Sequence, residues 1–289
     1  MKILALITIV LINVHSIKTE YSNDINQRIM DTISCQDCNY IPKVISAGKE
    51  ITINDSSYQV MHNGLKIITN SYHPWMTDII KQLKGHHEPQ EEKVFFEVLK
   101  SLPSNATMLE LGSFWAYYSM WFHKAIPHAT NYLVEPNPEK LLVGKRHFAI
   151  NACNGHFIAG FIDQLTNYDT SFVDWDKKVY QVPQLCIDDI IQTNFIDFIN
   201  ILHCDIQGNE YKMLLGARQS IALKKIGYLF ISTHATADNP HQQCLTFLKA
   251  HDFHIVASHT LGESFSGDGL IVARPNWLPG LDYVEISKK

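Results

Sequence analysis

Four ionisable side chains stand at the ends of apolar runs in this 289-residue chain. They are Glu110 in MLELGS, Glu135 in YLVE, Asp205 in HCDIQG and His234 in STHA. Gly112 follows Glu110 by two residues and lets the backbone turn tightly against a ligand. Glu135 lies 23 residues beyond Gly112, close to the ~20-residue offset of an acid that hydrogen-bonds a ribose diol. A merely solvated carboxylate at a strand end has the same spacing. Asp205 either faces a bound ligand or caps the turn at Gly208. Glu210 either joins the ligand or complements the dipole of the helix it opens. His234 has the residue type of a general base for a hydroxyl, with substrate positioning or plain exposure as the other readings. Asp205, Glu210 and His234 could instead gather a divalent cation, a reading not favoured because the trio follows no regular ligand motif.

Such residues act together only if strand ends bring them together, and the periodicity predicts that they do. From residue 91 onward, strands alternate with helices. The expected strands are 107–111, 132–135, 156–162, 198–205, 227–232, 253–258 and 270–274, and the expected helices are 91–102, 115–126, 139–151, 210–223 and 241–250. That alternation predicts a mostly parallel sheet with helices on both faces, which binds ligands beyond the carboxyl ends of its strands. Before residue 90 the chain reads differently, with short strands at 50–53 and 64–69 and a helix at 75–83. His86, His87 and Glu88 sit at the join, either as a cap region for the following helix or as a lid over the ligand. Trp121 and Phe122 read as core.

The loop after the first strand of the sheet discriminates between ligands. A dinucleotide needs a turn with several glycines so that its pyrophosphate can rest on a helix N-terminus. Here the loop is Gly112-Ser113-Phe114-Trp115-Ala116, with one glycine, two bulky aromatic residues and the negative Glu110 just before it. A nicotinamide cofactor is disfavoured. A carboxylate at that point suits a ligand with a positive amino group, such as the methionine part of S-adenosylmethionine.

Three blocks then carry a resemblance. MLELGSFWAYYS at 108–119, LVEPNPEK at 133–140 and HCDIQGNEYKMLLGA at 203–217 resemble, in order and spacing, the FkbM family of S-adenosylmethionine-dependent methyltransferases. The likeness extends from Cys35 to Arg274 and includes GHHEPQEE at 85–92 and SGDGL at 266–270. It implies a class I Rossmann-like fold with a seven-stranded sheet, and methyl transfer to a hydroxyl of a sugar or another small polyhydroxylated acceptor. It places the cofactor's amino acid part against Glu110, Gly112 and Ser113, its ribose on Glu135, its adenine beside Phe161, Ile162 and Asp163, and Asp205 facing the methyl donor. Two departures stand out: Phe114-Trp115-Ala116 replaces the usual Asn-x-Gly, and Gln207 replaces the usual Glu. A non-catalytic S-adenosylmethionine-binding protein that keeps the fold is the alternative function.

Composition limits partners and compartment. Hydrophobic residues make up 46% of the chain and charged residues 18%, enough apolar material for a sizeable core. A net charge of -5 gives no positive field to collect phosphates, so nucleic acid is not an expected partner. Lys2, the apolar run 3–14 and Val14-His15-Ser16 read as a signal peptide over 1–16, too short to span a bilayer. That segment predicts an extracytoplasmic protein, and without it the protein is cytoplasmic. The remaining divisions are a cap segment at 17–90, the methyltransferase domain at 91–275 and a tail at 276–289. Cys35 and Cys38 read as a local disulfide or two ordinary thiols.

Overall fold

The computed structural model describes residues 21–174 and 176–289, and the expected signal peptide at 1–16 lies outside them. Among the described residues, no helix is long and apolar enough to cross a membrane.

The chain opens with α1 (Asn23–Ser34), capped by the Ser22 hydroxyl. An antiparallel meander of β1 (Glu50–Ile53), β2 (Ser56–Val60) and β3 (Lys66–Ile68) follows. Next come α2 (Pro74–Gln82) and α3 (Pro89–Leu99), each begun by a proline whose missing N–H is no loss in a first turn. The alternating region then runs β4 (Thr107–Leu111), α4 (Tyr117–Ala125), β5 (Thr130–Glu135), α5 (Pro138–Ile150) and β6 (His156–Ala159). An excursion contains β7 (Phe161–Ile162), β8 (Phe172–Val173), β9 (Val179–Tyr180), β10 (Gln184–Leu185) and α6 (Ile187–Thr193). The rest is β11 (Ile199–Cys204), α7 (Glu210–Leu215), α8 (Arg218–Ala222), β12 (Ile226–Thr233), α9 (Pro240–Ala250), β13 (Phe253–His259) and β14 (Gly269–Pro275).

Seven strands form one sheet in the order β13-β14-β12-β11-β4-β5-β6, parallel throughout except for β14, which runs antiparallel to both neighbours. This is the class I methyltransferase-like arrangement. From β4 the chain winds toward β6 on one side and, starting again at β11, toward β12 on the other. The crevice at this reversal is where open α/β sheets take their ligands. All eight residues of β12 are buried, as expected for a strand covered on both faces. On one face Phe95, Trp121, Phe122 and Phe230 share a core with Ile29, Met61 and Ile79 from the N-terminal segment. On the other, Leu109, Leu202 and Ile231 pack with Ile187, Met213 and Phe247. Each such side chain contributes about 1.5–3 kcal/mol by leaving water.

The structure departs from the expected elements in two informative places. The single strand expected over 156–162 breaks at Gly160, and Phe161–Ile162 leave the main sheet to pair with Gln184–Leu185. A Cβ at Gly160 would come within 2.7 Å of Leu185 Cδ1 and 3.0 Å of the Pro183 carbonyl oxygen, so glycine lets the two segments close up without displacing either. The helix expected over 210–223 is two helices. The Asp188 carboxylate accepts the N–H groups of Gln219 and Ser220, restarting α8 from another part of the chain. In addition α1, β2 and α6 form where the periodicity gave no signal, and Cys35 and Cys38 are both buried free thiols.

Candidate active site

The loop after β4 lies against its neighbours through backbone contacts. The amides of Gly112 and Ser113 both donate to the Val134 carbonyl, at 2.9 and 3.1 Å. Gly112 has φ +73°, and a Cβ there would fall 1.8 Å from the Asp205 carbonyl oxygen. Only glycine fits. Phe114 and Ala116 also take left-handed backbone, with φ 37° and 60°, where glycine would be unstrained.

Two buried carboxylates brace this loop. One Glu135 oxygen accepts the Phe114 N–H at 3.1 Å and the other accepts the Asn137 N–H at 2.9 Å. The Asn137 side chain in turn caps α5 through Glu139 N–H and Lys140 N–H. Glu110 accepts the Ser119 N–H of α4 at 3.2 Å. Burial pushes the pKa of each glutamate up to about 7. The Ser113 hydroxyl is buried and has no hydrogen-bond partner.

Beyond β11 and β12 the chemistry belongs to side chains. His234 Nδ1 stands 2.8 Å from Glu210, while Nε2 stands 3.2 Å from Asp205 and 3.4 Å from Asp268. The Gln207 amide donates to Asp205 at 2.9 Å and touches His234 Nε2. Burial opposes a charge on His234, but Asp205 and Glu210 outweigh it and push the pKa up to about 11. Asp205 is likewise held below the ordinary carboxylate range, because the bond to His234 overcomes its burial. The pairs with Glu210, Asp205 and Asp268 favour the imidazolium, although the Gln207 nitrogen, a donor as placed, does not complement an N–H on Nε2. Arg28 of α1 reaches Asp268 at 3.3 Å. Tyr72, ahead of α2, packs on Phe114 and Trp115 at ring separations of 5.1 and 5.9 Å. Burial, then the carboxylates of Asp205, Glu88 and Asp268, hold its hydroxyl above the ordinary phenol value.

A third, fully covered layer lies between α3 and the sheet. Glu92 accepts the N–H of His87 at 2.7 Å and bonds the His86 ring. Burial works against its charge, yet His86 and His87 hold its pKa well below the usual value. His203 and Glu91 face each other at 2.7 Å as an ion pair rather than an aligned hydrogen bond. Ligand atoms of His62, His86 and Glu92 lie close enough together to suggest a metal. The two imidazoles, however, stack at 4.2 Å with planes 15° apart, so their in-plane lone pairs run side by side instead of converging.

The family model described as Methyltransferase FkbM domain matches residues 105–255, just over half of the chain. The chain belongs to the FkbM methyltransferase family. Membership makes it a methyltransferase in general terms. Distantly similar solved structures include methyltransferase FkbM from Methylobacillus flagellatus, 14% identical over 71% of this chain and 62% of that one, with a TM-score of 0.45. They also include an O-methyltransferase from Bacillus cereus with S-adenosylhomocysteine, 12% identical over 65% and 80%, TM-score 0.43. TrmK from M. capricolum with S-adenosylhomocysteine is 12% identical over 67% and 71%, TM-score 0.41. No curated protein matches the chain.

Within this FkbM-family chain, the expected site residues fall into three groups. Glu110, Gly112, Ser113 and Glu135 meet at the crevice. Asp205, Glu210 and His234 meet at its other lip. Phe161 packs on Phe172, the Ile162 carbonyl accepts Asn209, and Asp163 pairs with Lys212 at 3.1 Å, further along the same rim. His86 and His87 are buried beneath α3, while Glu88 keeps partial exposure and accepts the Tyr118 hydroxyl. Arg28, Tyr72 and Asp268 join the site without having been singled out. Only the SGDGL block marked the last of them, as part of the resemblance.

Proposed function

We propose that this chain moves a methyl group from S-adenosylmethionine to a hydroxyl oxygen of a carbohydrate or other small polyhydroxylated acceptor. The main support for the acceptor is the second lip: Asp205, Gln207, His234 and Asp268 form a polar, partly open ring beside the aromatic Tyr72. Carboxylates that accept from hydroxyl groups, next to an aromatic face, suit a ligand with many hydroxyls and few charges.

The residues on the first lip fit S-adenosylmethionine, whose sulfonium supplies an activated methyl group. Each Glu135 oxygen has accepted one N–H and keeps room for another donor, such as a ribose hydroxyl. Ser113 brings an unused buried hydroxyl. Glu110, Gly112 and Ser113 would hold the amino acid part, and Phe161, Ile162 and Asp163 would border the adenine. Asp205 would stand nearest the methyl group. We assign His234 to positioning rather than proton removal: a charged imidazolium accepts no proton, and here it fixes Asp205 and Asp268 in place. Residues of the 17–90 segment, Tyr72 and Arg28 among them, would wall the acceptor side.

Calorimetry with S-adenosylmethionine, S-adenosylhomocysteine and NAD tests the first half of this reading, and methyl transfer to simple methyl glycosides tests the second. Tight binding of NAD alone would overturn it. Cofactor binding without transfer to any glycoside would favour a non-catalytic binding protein.

A further inference from the structure

Glu88 stands just ahead of α3, outside the alternating region, yet it lies near enough to Asp205, Asp268 and Tyr72 for their charges to act on one another. Its two oxygens are unequally employed. Oε2 accepts the Tyr118 hydroxyl at 3.0 Å and meets His87 Nε2 at 3.2 Å. Oε1 has no partner among the described residues and is not sealed from solvent, although the side chain is only 20% exposed. The support behind it is fixed. Glu92 accepts the N–H groups of both His87 and Glu88, and the buried His87 ring packs edge-on against Trp115 and Tyr117 at 4.7 and 5.0 Å. Glu88 is thereby held against the end of the β4 loop and the first turn of α4, the loop that also brings the unused, buried Ser113 hydroxyl.

Two carboxylates at the crevice thus keep a free oxygen, from opposite sides. The other is Asp205, whose Oδ2 has no partner among the described residues while Oδ1 serves His234 and Gln207. S-adenosylmethionine carries two positive groups, a sulfonium and an ammonium, at opposite ends of a short carbon chain. Asp205 belongs to the β11 end, where the proposed function puts the methyl group, so the ammonium falls to the β4 side. Glu110 is poorly suited to hold it alone: it is 4% exposed and already accepts the Ser119 N–H. Resting on the methyl-transfer reading above, we propose that Glu88 anchors the cofactor's ammonium group, its free Oε1 accepting an N–H of the methionine amino group. Glu110, Gly112 and Ser113 then shape the pocket, and Glu88 supplies its charge. Burial opposes that charge, but His87, against repulsion from Asp205 and with help from Tyr118, holds the carboxyl below the ordinary range, so it is ionised at neutral pH. The segment ahead of the sheet becomes part of the cofactor site as well as a wall of the acceptor side.

The test uses the full chain and calorimetry with S-adenosylmethionine, S-adenosylhomocysteine and methylthioadenosine, which keeps the nucleoside and sulfur but lacks the amino acid part. E88Q retains the shape of the side chain and an oxygen for the Tyr118 hydroxyl. It should weaken S-adenosylmethionine and S-adenosylhomocysteine alike, by about 10- to 100-fold, and leave methylthioadenosine within about threefold of the parent. A loss on S-adenosylmethionine alone would put Glu88 at the sulfonium and overturn the assignment. Equal loss on all three ligands, or none on any, overturns it as well, and each of these results leaves the methyl-transfer reading intact. A crystal structure of the parent with S-adenosylhomocysteine decides the matter even if E88Q does not fold: the amino nitrogen should lie within about 3.2 Å of Glu88 Oε1, and a nitrogen bound only by other groups overturns the assignment. A parent that binds neither S-adenosylmethionine nor S-adenosylhomocysteine brings down both readings together.

Discussion

The two lips of the crevice are built from the same residue types in different ways. On the β4–β5 side, carboxylates accept backbone N–H groups: Glu135 takes Phe114 and Asn137, and Glu110 takes Ser119. On the β11–β12 side, side chains do most of the tying: Asp205 holds His234, Glu210 holds both His234 and the Gly208 N–H, and Asp268 holds Arg28. A lip tied through its backbone has its shape fixed by the fold, so its failures should be failures of folding or of cofactor affinity. A lip tied through side chains can be altered group by group, so its failures should appear in charge balance and in chemistry.

The sharpest attack on this contrast is Gly112→Ala. A Cβ 1.8 Å from the Asp205 backbone oxygen, at a positive φ, cannot be accommodated without parting β4 from β11. We expect a loss above about 4 kcal/mol, read by urea unfolding or as failure to fold. Next is His234→Ala, which strips the central cation from three carboxylates and should cost about 3–5 kcal/mol in unfolding free energy near neutrality. His234 has a folded pKa of about 11, above its ordinary value of 6.5, so its contribution is full below about pH 6.5 and is lost as pH rises toward 11. The gap between parent and variant should therefore narrow on the alkaline side. A gap that widens there would mean that His234 is not held as an imidazolium.

Glu135→Ala should weaken S-adenosylmethionine binding by about 1.5–3 kcal/mol in calorimetry, the loss of hydrogen bonds to a charged group. Glu135→Gln adds a stability readout. With a folded pKa raised to about 7 from 4.5, Glu135 contributes stability that is full below pH 4.5 and lost as pH rises through 7. The glutamine variant should lose that part of the slope between about pH 4.5 and 7. The smallest effect is expected from Ala116→Gly. Relief of left-handed backbone favours the glycine by about 1–2 kcal/mol, while loss of a buried methyl offsets about 0.8 kcal/mol, leaving a gain of at most about 1 kcal/mol in thermal unfolding.

The backbone-built lip was the more legible one in the sequence. A strand end, a glycine and an acid at fixed spacing are local signals, and Gly112 and Glu135 do meet where their spacing places them. The helix at 139–151 and the strand at 107–111 were also legible, because periodicity and flanking turn residues agree there. Less could be read where the deciding contact is long-range. Nothing near residue 216 announces that Asp188 will cap a new helix, and nothing near Gly160 announces that Leu185 will close against it. The side-chain lip suffers the same limit: Arg28 and Asp268 are 240 residues apart, so no window on the sequence contains both. His234 was legible as a position but not as a charge state, since its pKa is set by Asp205 and Glu210 from other elements.

That 240-residue separation also has a bearing on synthesis. α1 leaves the ribosome well before Asp268, which arrives just ahead of β14, the strand that must insert between β12 and the already completed β13. A nascent chain halted before β14 would carry the whole β4–β5 lip while Arg28 still lacked its partner and His234 one of its carboxylates. Under the proposed function, the donor-side lip would thus be synthesised before the acceptor-side lip is complete. Truncation from the C-terminus would separate the two on the bench.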